Sequence, residues 1–326
     1  MARDSREDDL VLCTFTGGAS ALTPALHPEI PLADMQRLTC MLLECGATIH
    51  EINTLRKHLS RFSGGSLVRA AFPATVLGLI VSDVVGDDLD VIASGPTVPD
   101  PSTFADCLRV VEHYGLRWKM PQSIWAHIEG GLQGRTPETP KADEPAFGRV
   151  RNVLVASVKQ ALEAAADEAA RCGFVPRILT TAMSGEARRT AAQLVAEARR
   201  AQAGLRPGDA PLCLLAGGET TVTIRGSGKG GRNQEMALAA TLELADDRGI
   251  DLICVGTDGT DGPTDAAGGY AFSGDLARLR AIGLHPKESL DANDSYPLLL
   301  KAGTLLRTGP TRTNVMDMAI MLVRPK

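Results

Sequence analysis

Aromatic residues are scarce in this sequence, and their scarcity narrows the functions open to it. Phe, Trp and Tyr make up 4% of the 326 residues, too few for the aromatic platforms on which proteins stack single-stranded nucleic acids. The formal net charge of −5 points the same way, because nucleic-acid-binding surfaces are basic. We therefore expect no nucleic-acid partner.

Long apolar runs are also missing. No apolar stretch approaches the roughly 20 residues that a transmembrane helix needs, and residues 1–9 contain no apolar segment of the kind found in signal peptides. The seven cysteines form neither a CxxC pair nor a zinc-ligand spacing with histidine, which is typical of reduced thiols in a cytosol-like compartment. We expect a cytoplasmic protein with no membrane partner.

Several common catalytic motifs are absent. The sequence has no HExxH metal motif, no GxSxG nucleophile loop and no Walker A loop. It also lacks a good dinucleotide fingerprint, which argues against a nicotinamide-dependent enzyme. A catalytic cysteine and a Ser-His-Asp triad without this nucleophile loop stay open as alternatives.

What the sequence does contain is a repeated pattern in which a short apolar run ends in glycine, hydroxyl and acidic residues. Such runs are typical of buried strands, and ligands bind at the carboxyl ends of the strands in a parallel α/β sheet. Turn chemistry also favours glycine and aspartate, but it explains the repetition less readily. The four runs and their loops are 10–15 with 16–20, 75–81 with 82–88, 211–216 with 217–221, and 252–255 with 256–265.

Helical patterns alternate with these strands. This βαβα order predicts an α/β protein with parallel sheets and helices on both faces. Capping residues and apolar spacing predict helices after Asp34, after Thr103, from Ser157 to Gly173 and over 186–203.

Two stretches rich in glycine, proline and charge look like linkers, at 130–148 and 203–210. We place the domain boundary in the second stretch. The predicted architecture is then a Rossmann-like domain over 1–208 and a second, smaller α/β domain over 209–326.

A glycine-rich loop in the second half predicts an anion site. It spans 225–235, follows a strand-like alternation at 220–224 and precedes a helical pattern that starts at Met236. Lys229 and Arg232 would then stand beside a helix N-terminus, where anions are favoured. A glycine hairpin with solvated basic residues is the alternative.

Further polar loops leave two interpretations open. Asp258, Asp261 and Asp265 share one loop, and they either bind Mg²⁺ or Ca²⁺ through oxygen or form Asx turns. The late loop 308–315 contains Asn314, which either binds a ligand or closes the turn.

Taken together, these motifs resemble those of the glycerate 2-kinases of the two-domain type, whose C-terminal half is called the MOFRL domain. The resemblance runs nearly from end to end and in the same order. The matching segments are TGGASAL at 16–22, CGATIHEINTLRKHLS at 45–60, SDVVGDDLDVIASGPTVPDPST at 82–103, LLAGGETTVTIRGSGKGGRNQE at 214–235, GTDGTDGPTDAAG at 256–268, NDSY at 293–296 and TGPTRTNVMD at 308–317.

The resemblance implies ATP- and Mg²⁺-dependent phosphorylation of D-glycerate to 2-phosphoglycerate, in a cleft between the two domains. A homodimer is a possible assembly of the chain. The resemblance also implies that Asp83 activates the attacking hydroxyl or holds the metal, and that Arg232 binds the substrate carboxylate or the moving phosphoryl group. The other implied residues are Gly17, Gly18, Ser20, Glu219, Lys229 and Asn314 for ATP, and Asp87 and Asp258 for the metal.

The chain departs from the family pattern in ways that bear on activity. Family members begin with a further βα segment that carries a site lysine, and we expect this chain to lack it, leaving the first sheet with a bare edge or an uncovered apolar face. Ser63 stands where a lysine is common, Thr16 and Ala19 replace the usual Ser and Gly, and Arg312 replaces a usual Gly. A member that binds ligand without turnover is therefore the alternative, and a hydroxypyruvate reductase is a third.

Overall fold

The computed structural model describes residues 1–245 and 247–326. The chain divides into two compact units, Met1–Val155 and Ala156–Lys326. Within the described residues, no helix combines the length and the apolar character needed to cross a bilayer.

The first unit contains a sheet of order β1-β2-β3 and helices packed beside it. Strands β1 and β2 are parallel, with Leu10 opposite Thr75, and both have the bounds that the sequence predicted. The elements are β1 Leu10–Phe15, α1 Ala19–Leu22, α2 Leu32–Glu44, α3 Ile49–Leu59, α4 Ser66–Ala71, β2 Thr75–Val81, α5 Phe104–His113, α6 Gln122–Leu132 and β3 Val150–Ala156, with 3-10 turns at Ala2–Asp4, Ile92–Ser94 and Pro145–Arg149.

Capping residues define the helix starts in this unit. Thr103 and Asp106 form a reciprocal capping box at α5, as the sequence predicted for Thr103. Helix α2 begins at Leu32, slightly before the predicted cap at Asp34. The helices share a core whose fully buried side chains include Leu38, Leu42, Leu55, Leu59, Ile124 and Ile128.

The stretch 130–148 is not a linker. Glu138 accepts hydrogen bonds from the backbone N–H of Phe104 at 3.1 Å and from Nε2 of His58 at 2.7 Å. Lys141 Nζ donates to the carbonyl of Asp100 at 3.0 Å. The charged residues that suggested a solvated connection instead fasten this stretch to α3 and α5.

Strand β1 forms an edge of the first sheet, and its apolar side chains are poorly covered. Leu10 and Leu12 keep 61% and 57% of their surface exposed. This agrees with the expectation of an uncovered apolar face.

The second unit is built on a sheet of order β4-β5-β9-β6-β7-β8. Among the described strands of this sheet, only β4 and β5 pair in parallel, and β9 runs antiparallel to both β5 and β6. The prediction of parallel sheets is therefore wrong for this unit, because β9, with no helix between it and β8, inserts between two earlier strands. The elements are α7 Val158–Arg171, β4 Val175–Met183, α8 Ala187–Ala203, β5 Leu212–Gly218, α9 Arg232–Leu244, β6 Ile250–Gly256, β7 Gly268–Phe272, α10 Asp275–Ala281, α11 Pro286–Asp291, α12 Ser295–Ala302, β8 Leu305–Leu306 and β9 Asp317–Val323.

The compact units divide at 155/156, because β4 pairs with β5 and α8 packs on α9, whereas the sequence placed the domain boundary at 208/209. One local prediction fails in this unit. The alternating segment 220–224 forms no strand. Thr221 makes one isolated bridge to Glu186, and the next residues turn toward Asn293, whose side-chain oxygen accepts the N–H groups of Arg225 and Gly226.

Candidate active site

The loops after β1 and β2 meet at one pocket of the first unit. Gly17, Gly18, Ser20 and Asp83 line this space of about 260 Å³, together with Arg56 of α3. Gly18 has a φ of +79°, in the left-handed region that glycine adopts without strain. The structure thus brings together four of the residues that the sequence singled out.

A hydrogen-bonded series joins this pocket to α3. Ser20 Oγ lies 2.9 Å from Ser94 Oγ, which donates to Asn53 Oδ1 at 2.9 Å. Arg56 donates to the same Asn53 oxygen at 3.2 Å. Burial lowers the pKa of Arg56, and its guanidinium gives the pocket a positive group.

Sequence reasoning missed Asn53 and Arg56. Both belong to the segment 45–60, which resembles the family, but polar residues in an amphipathic helix normally face water. Only the packing of α3 against the loops shows that these two face a pocket. The resemblance of this segment to the family was the signal that could have pointed to them.

The acidic loop after β2 contributes two carboxylates of different character. Burial raises the pKa of Asp83. Asp87 has a φ of +58°, and its Oδ1 is buried with no hydrogen-bond partner among the described residues. A buried oxygen without a donor is costly, so it marks a place where a bound cation or donor would be stabilising.

The backbone beside the pocket is strained. Ala93 and Ser94 have φ values of +54° and +59°, which are costly for residues with a Cβ. Lys57, itself buried, forms ion pairs with Asp90 and with Asp100. These contacts hold the strained segment against α3.

A second pocket, of about 510 Å³, lies in the second unit between the glycine loop and the loop after β5. Arg232, the first residue of α9, donates to both carboxylate oxygens of Asp317, at 2.6 and 3.0 Å, and to Glu219 at 2.5 Å. Burial alone would lower the pKa of Arg232, but the hydrogen bond to Asp317 and the charges of Asp317 and Glu219 raise it above its usual range. Asp317, only 1% exposed as a side chain, was not among the predicted site residues.

The N-terminus of α9 is already occupied by a carboxylate of the protein. Asp261 accepts the backbone N–H groups of Asn233 and Gln234 at 3.0 and 2.8 Å. An internal acid therefore takes two of the N–H groups at this helix end, and a ligand anion beside Arg232 stays a prediction. The cap also explains why α9 starts at Arg232 instead of Met236.

Lys229 and Asp265 both contact Tyr296. The Lys229 ammonium lies 4.3 Å from the centre of the Tyr296 ring, and the Tyr296 hydroxyl donates to Asp265 at 2.6 Å. That hydrogen bond, with the charge of Arg307, lowers the pKa of Asp265. Lys229 is part of the glycine loop, and its ammonium lies against an aromatic ring.

Asp258 and Asn314 make local turn contacts. The carboxylate of Asp258 accepts from the N–H and the hydroxyl of Thr260, both at 2.9 Å, and exposed Asn314 accepts the N–H of Met316 at 3.0 Å. These contacts favour the Asx-turn interpretation. Arg312 has a φ of +65°, which explains why glycine suits that position.

Comparisons with known proteins match both halves of the chain. Residues 1–129 match a domain of unknown function called DUF4147, and residues 212–317 match the MOFRL family. The second match begins close to the boundary predicted at 208/209, although the compact unit begins earlier.

Individual relatives match over nearly the whole chain. A glycerate 2-kinase from Pyrococcus horikoshii is 46% identical over 99% of this chain and 72% of its own length. The crystal structure of a glycerate kinase from Thermotoga maritima superposes with a TM-score of 0.89 at 43% identity, covering 98% of this chain and 74% of that one. A relative from Agrobacterium vitis, provisionally named a hydroxypyruvate reductase, is 44% identical over 97% of this chain. The chain thus belongs to the glycerate 2-kinase family with a MOFRL domain, a family of kinases.

Proposed function

We propose that this chain transfers the γ-phosphoryl group of ATP to the 2-hydroxyl of D-glycerate and so forms 2-phosphoglycerate. The first-unit pocket carries the proposal, since a glycine loop, a guanidinium and a half-buried carboxylate line one space. Phosphoryl transfer depends on such groups, because its catalysis rests on positioning and charge stabilisation. The names of the relatives supply the acceptor.

Each residue of the first-unit pocket would have its own role in the transfer. Gly17 and Gly18 let the main chain approach phosphate oxygens, and Ser20 adds a hydroxyl donor when it exchanges its hydrogen bond to Ser94 for one to a phosphate. Arg56 offers a planar fork to an anionic oxygen pair. Asp83 accepts the proton of the 2-hydroxyl, a role helped by its raised pKa, which strengthens it as a base.

The acidic loop is suited to magnesium. Mg²⁺ usually binds one or two protein carboxylates and completes its shell with water and substrate phosphates. Asp83 and Asp87 offer such oxygens, and the unpartnered Oδ1 of Asp87 supports the assignment. When bound, the ion would neutralise charge on the phosphates. Asp258 is a weaker candidate because both its oxygens already accept from Thr260.

In the second unit, an incoming anion would replace one of the two carboxylates that Arg232 binds. The bond from Arg232 to exposed Glu219 is the one that an incoming carboxylate or phosphate can replace, while buried Asp317 keeps the guanidinium oriented. For Lys229 and Asn314 the proposed nucleotide contact rests on the family resemblance alone.

The test is an ADP-release assay with the purified chain, ATP, Mg²⁺ and D-glycerate. We expect turnover that falls about 100-fold or more in Asp83→Asn, which keeps the shape of the side chain but removes the base. Asp88→Asn, in the exposed part of the same loop, is the matched control and should stay near the parent rate.

Product identity and the alternatives need separate readouts. Enolase converts 2-phosphoglycerate directly, so coupling to enolase distinguishes the 2-phosphate from the 3-phosphate. Loss of NADH absorbance with hydroxypyruvate would support the reductase. A folded chain that releases no ADP, or an Asp83→Asn variant as active as Asp88→Asn, would contradict the proposal.

A further inference from the structure

A second cluster of ligand-type side chains lies in the first unit, among residues that the proposed kinase chemistry does not use. His27 and Glu29 belong to the segment between α1 and α2, and His127 belongs to α6. One ligand atom from each of these three residues lies within 4.8 Å of the others, and no other such group occurs among residues 1–245 and 247–326. The rings of His27 and His127 are 4.4 Å apart between centroids.

The hydrogen bonds of His127 prepare one of its nitrogens to be a ligand. Its Nε2 lies 2.9 Å from the carbonyl oxygen of His58, and a carbonyl only accepts, so Nε2 carries the hydrogen. In the neutral ring the other nitrogen, Nδ1, then holds a lone pair, which faces Glu29 Oε1 at 2.8 Å. A carboxylate and a lone pair repel each other unless a proton or a cation lies between them.

This arrangement matches the outer shell of histidine metal sites. Metal-binding histidines usually donate their second N–H to a backbone carbonyl or a carboxylate, which fixes the ring orientation and the tautomer. The bond to His58 does this for His127, whose ring is completely buried. The ligand atom is therefore held by the helix packing before any ion arrives.

His27 is half-buried and Glu29 is exposed, so both side chains can adjust around an ion. The nearby guanidinium of Arg61, whose Nε donates to the carbonyl of Leu26 at 2.9 Å, opposes an added cation. The carboxylate of Glu29 offsets that repulsion, and its exposed side chain can rotate to close the site.

We propose that His27, Glu29 and His127 form a zinc site. Two imidazoles and one carboxylate are ligands that Zn²⁺ takes in proteins, at about 2.0–2.2 Å, with a fourth position left for water. Closing the set to these bond lengths requires only small movements of His27 and Glu29, which lie on a surface segment. The ion would fasten the segment before α2 to α6, so its first effect is on stability.

The test is Zn²⁺ titration of the chelator-treated chain, in competition with a chromophoric chelator. We expect one equivalent to bind, and we expect His27→Ala and Glu29→Gln each to weaken binding about tenfold or more. His285→Ala is the matched control, because His285 is an exposed histidine outside the cluster. Circular dichroism of each variant establishes that it is folded.

A second measurement reports the ligands without any activity assay. Co²⁺ in place of zinc should give the intense visible absorption of a four-coordinate site in the parent chain and in His285→Ala, and not in His27→Ala. Zn²⁺ binding that is unchanged in folded His27→Ala, or a parent chain that binds no equivalent at micromolar Zn²⁺, would overturn the proposal. The latter result would leave the Glu29–His127 contact as an ion pair.

Discussion

At the scale of single residues, Arg232 has two carboxylate partners that differ in burial. Asp317 is buried and binds the guanidinium through two parallel hydrogen bonds, whereas Glu219 is nearly half exposed. A buried charge left without its partner keeps its desolvation cost, while an exposed pair contributes little. The same arginine therefore takes part in one structural pair and in one exchangeable pair.

We expect Asp317→Asn to lower the free energy of unfolding by about 2 kcal/mol, since it removes the buried countercharge of Arg232 and leaves only the exposed pair with Glu219. Glu219→Gln should change it by less than about 1 kcal/mol. Urea denaturation followed by circular dichroism measures both. Equal losses in the two variants would show that burial does not distinguish these pairs.

At the scale of elements, Glu138 connects several parts of the first unit. Its carboxylate accepts from His58 of α3, from the N–H of Phe104 at the start of α5, and from the N–H of Thr139. Burial alone would raise the pKa of Glu138, but these hydrogen bonds lower it to about 2 from an ordinary value of 4.5. The charged form is thus the one that joins the helices.

This shift predicts a defined pH dependence. A lowered folded pKa stabilises the fold at pH values above 4.5, and this stabilisation is lost as the pH falls toward 2. With solvent screening of the partly exposed group, we expect Glu138 to contribute about 1–2 kcal/mol to that loss. Urea midpoints measured from pH 6 to 2.5 should fall less in Glu138→Gln than in the parent.

Glu112→Gln is the control for this experiment, because Glu112 is exposed on α5. It should follow the parent curve. A parent-like fall in Glu138→Gln would show that other carboxylates account for the acid sensitivity.

At the scale of the whole molecule, the family match and the compact unit define different boundaries. The MOFRL match starts at Leu212, but the second unit starts at Ala156. Helix α8 buries Ala187, Ala191, Leu194, Val195 and Ala198 in the core that β5 and α9 share. Strand β4 pairs along β5 as well.

We expect the fragment 156–326 to fold and the fragment 209–326 to remain unfolded. The shorter fragment loses the apolar side chains of α8, and even two large ones are worth about 1.5–3 kcal/mol each against a typical stability of about 5–15 kcal/mol. Circular dichroism and thermal melting of both fragments test this. A cooperative unfolding transition in the fragment 209–326 would contradict this prediction and show that the MOFRL half folds without β4 and α8.

Local patterns were enough to predict much of this molecule. Apolar runs and turn chemistry predict the bounds of β1 and β2, the helix cap at Thr103, and the glycine and acidic loops at Gly17 and Asp83, because these features depend on neighbouring residues. The motifs also sufficed to identify the family. Each of these signals is contained within a short stretch of chain.

Contacts between distant residues decided the rest. The insertion of β9 between β5 and β6, the capping of α9 by Asp261 and the pairing of Arg232 with Asp317 join residues 28 to more than 80 positions apart. Local sequence preferences do not encode such pairs. Taken alone, each acid looks like a solvated residue of a turn, and the sequence of β9 does not indicate which strands it joins. Packing removes these groups from water, and the requirement that buried charges and N–H groups be paired then selects their partners.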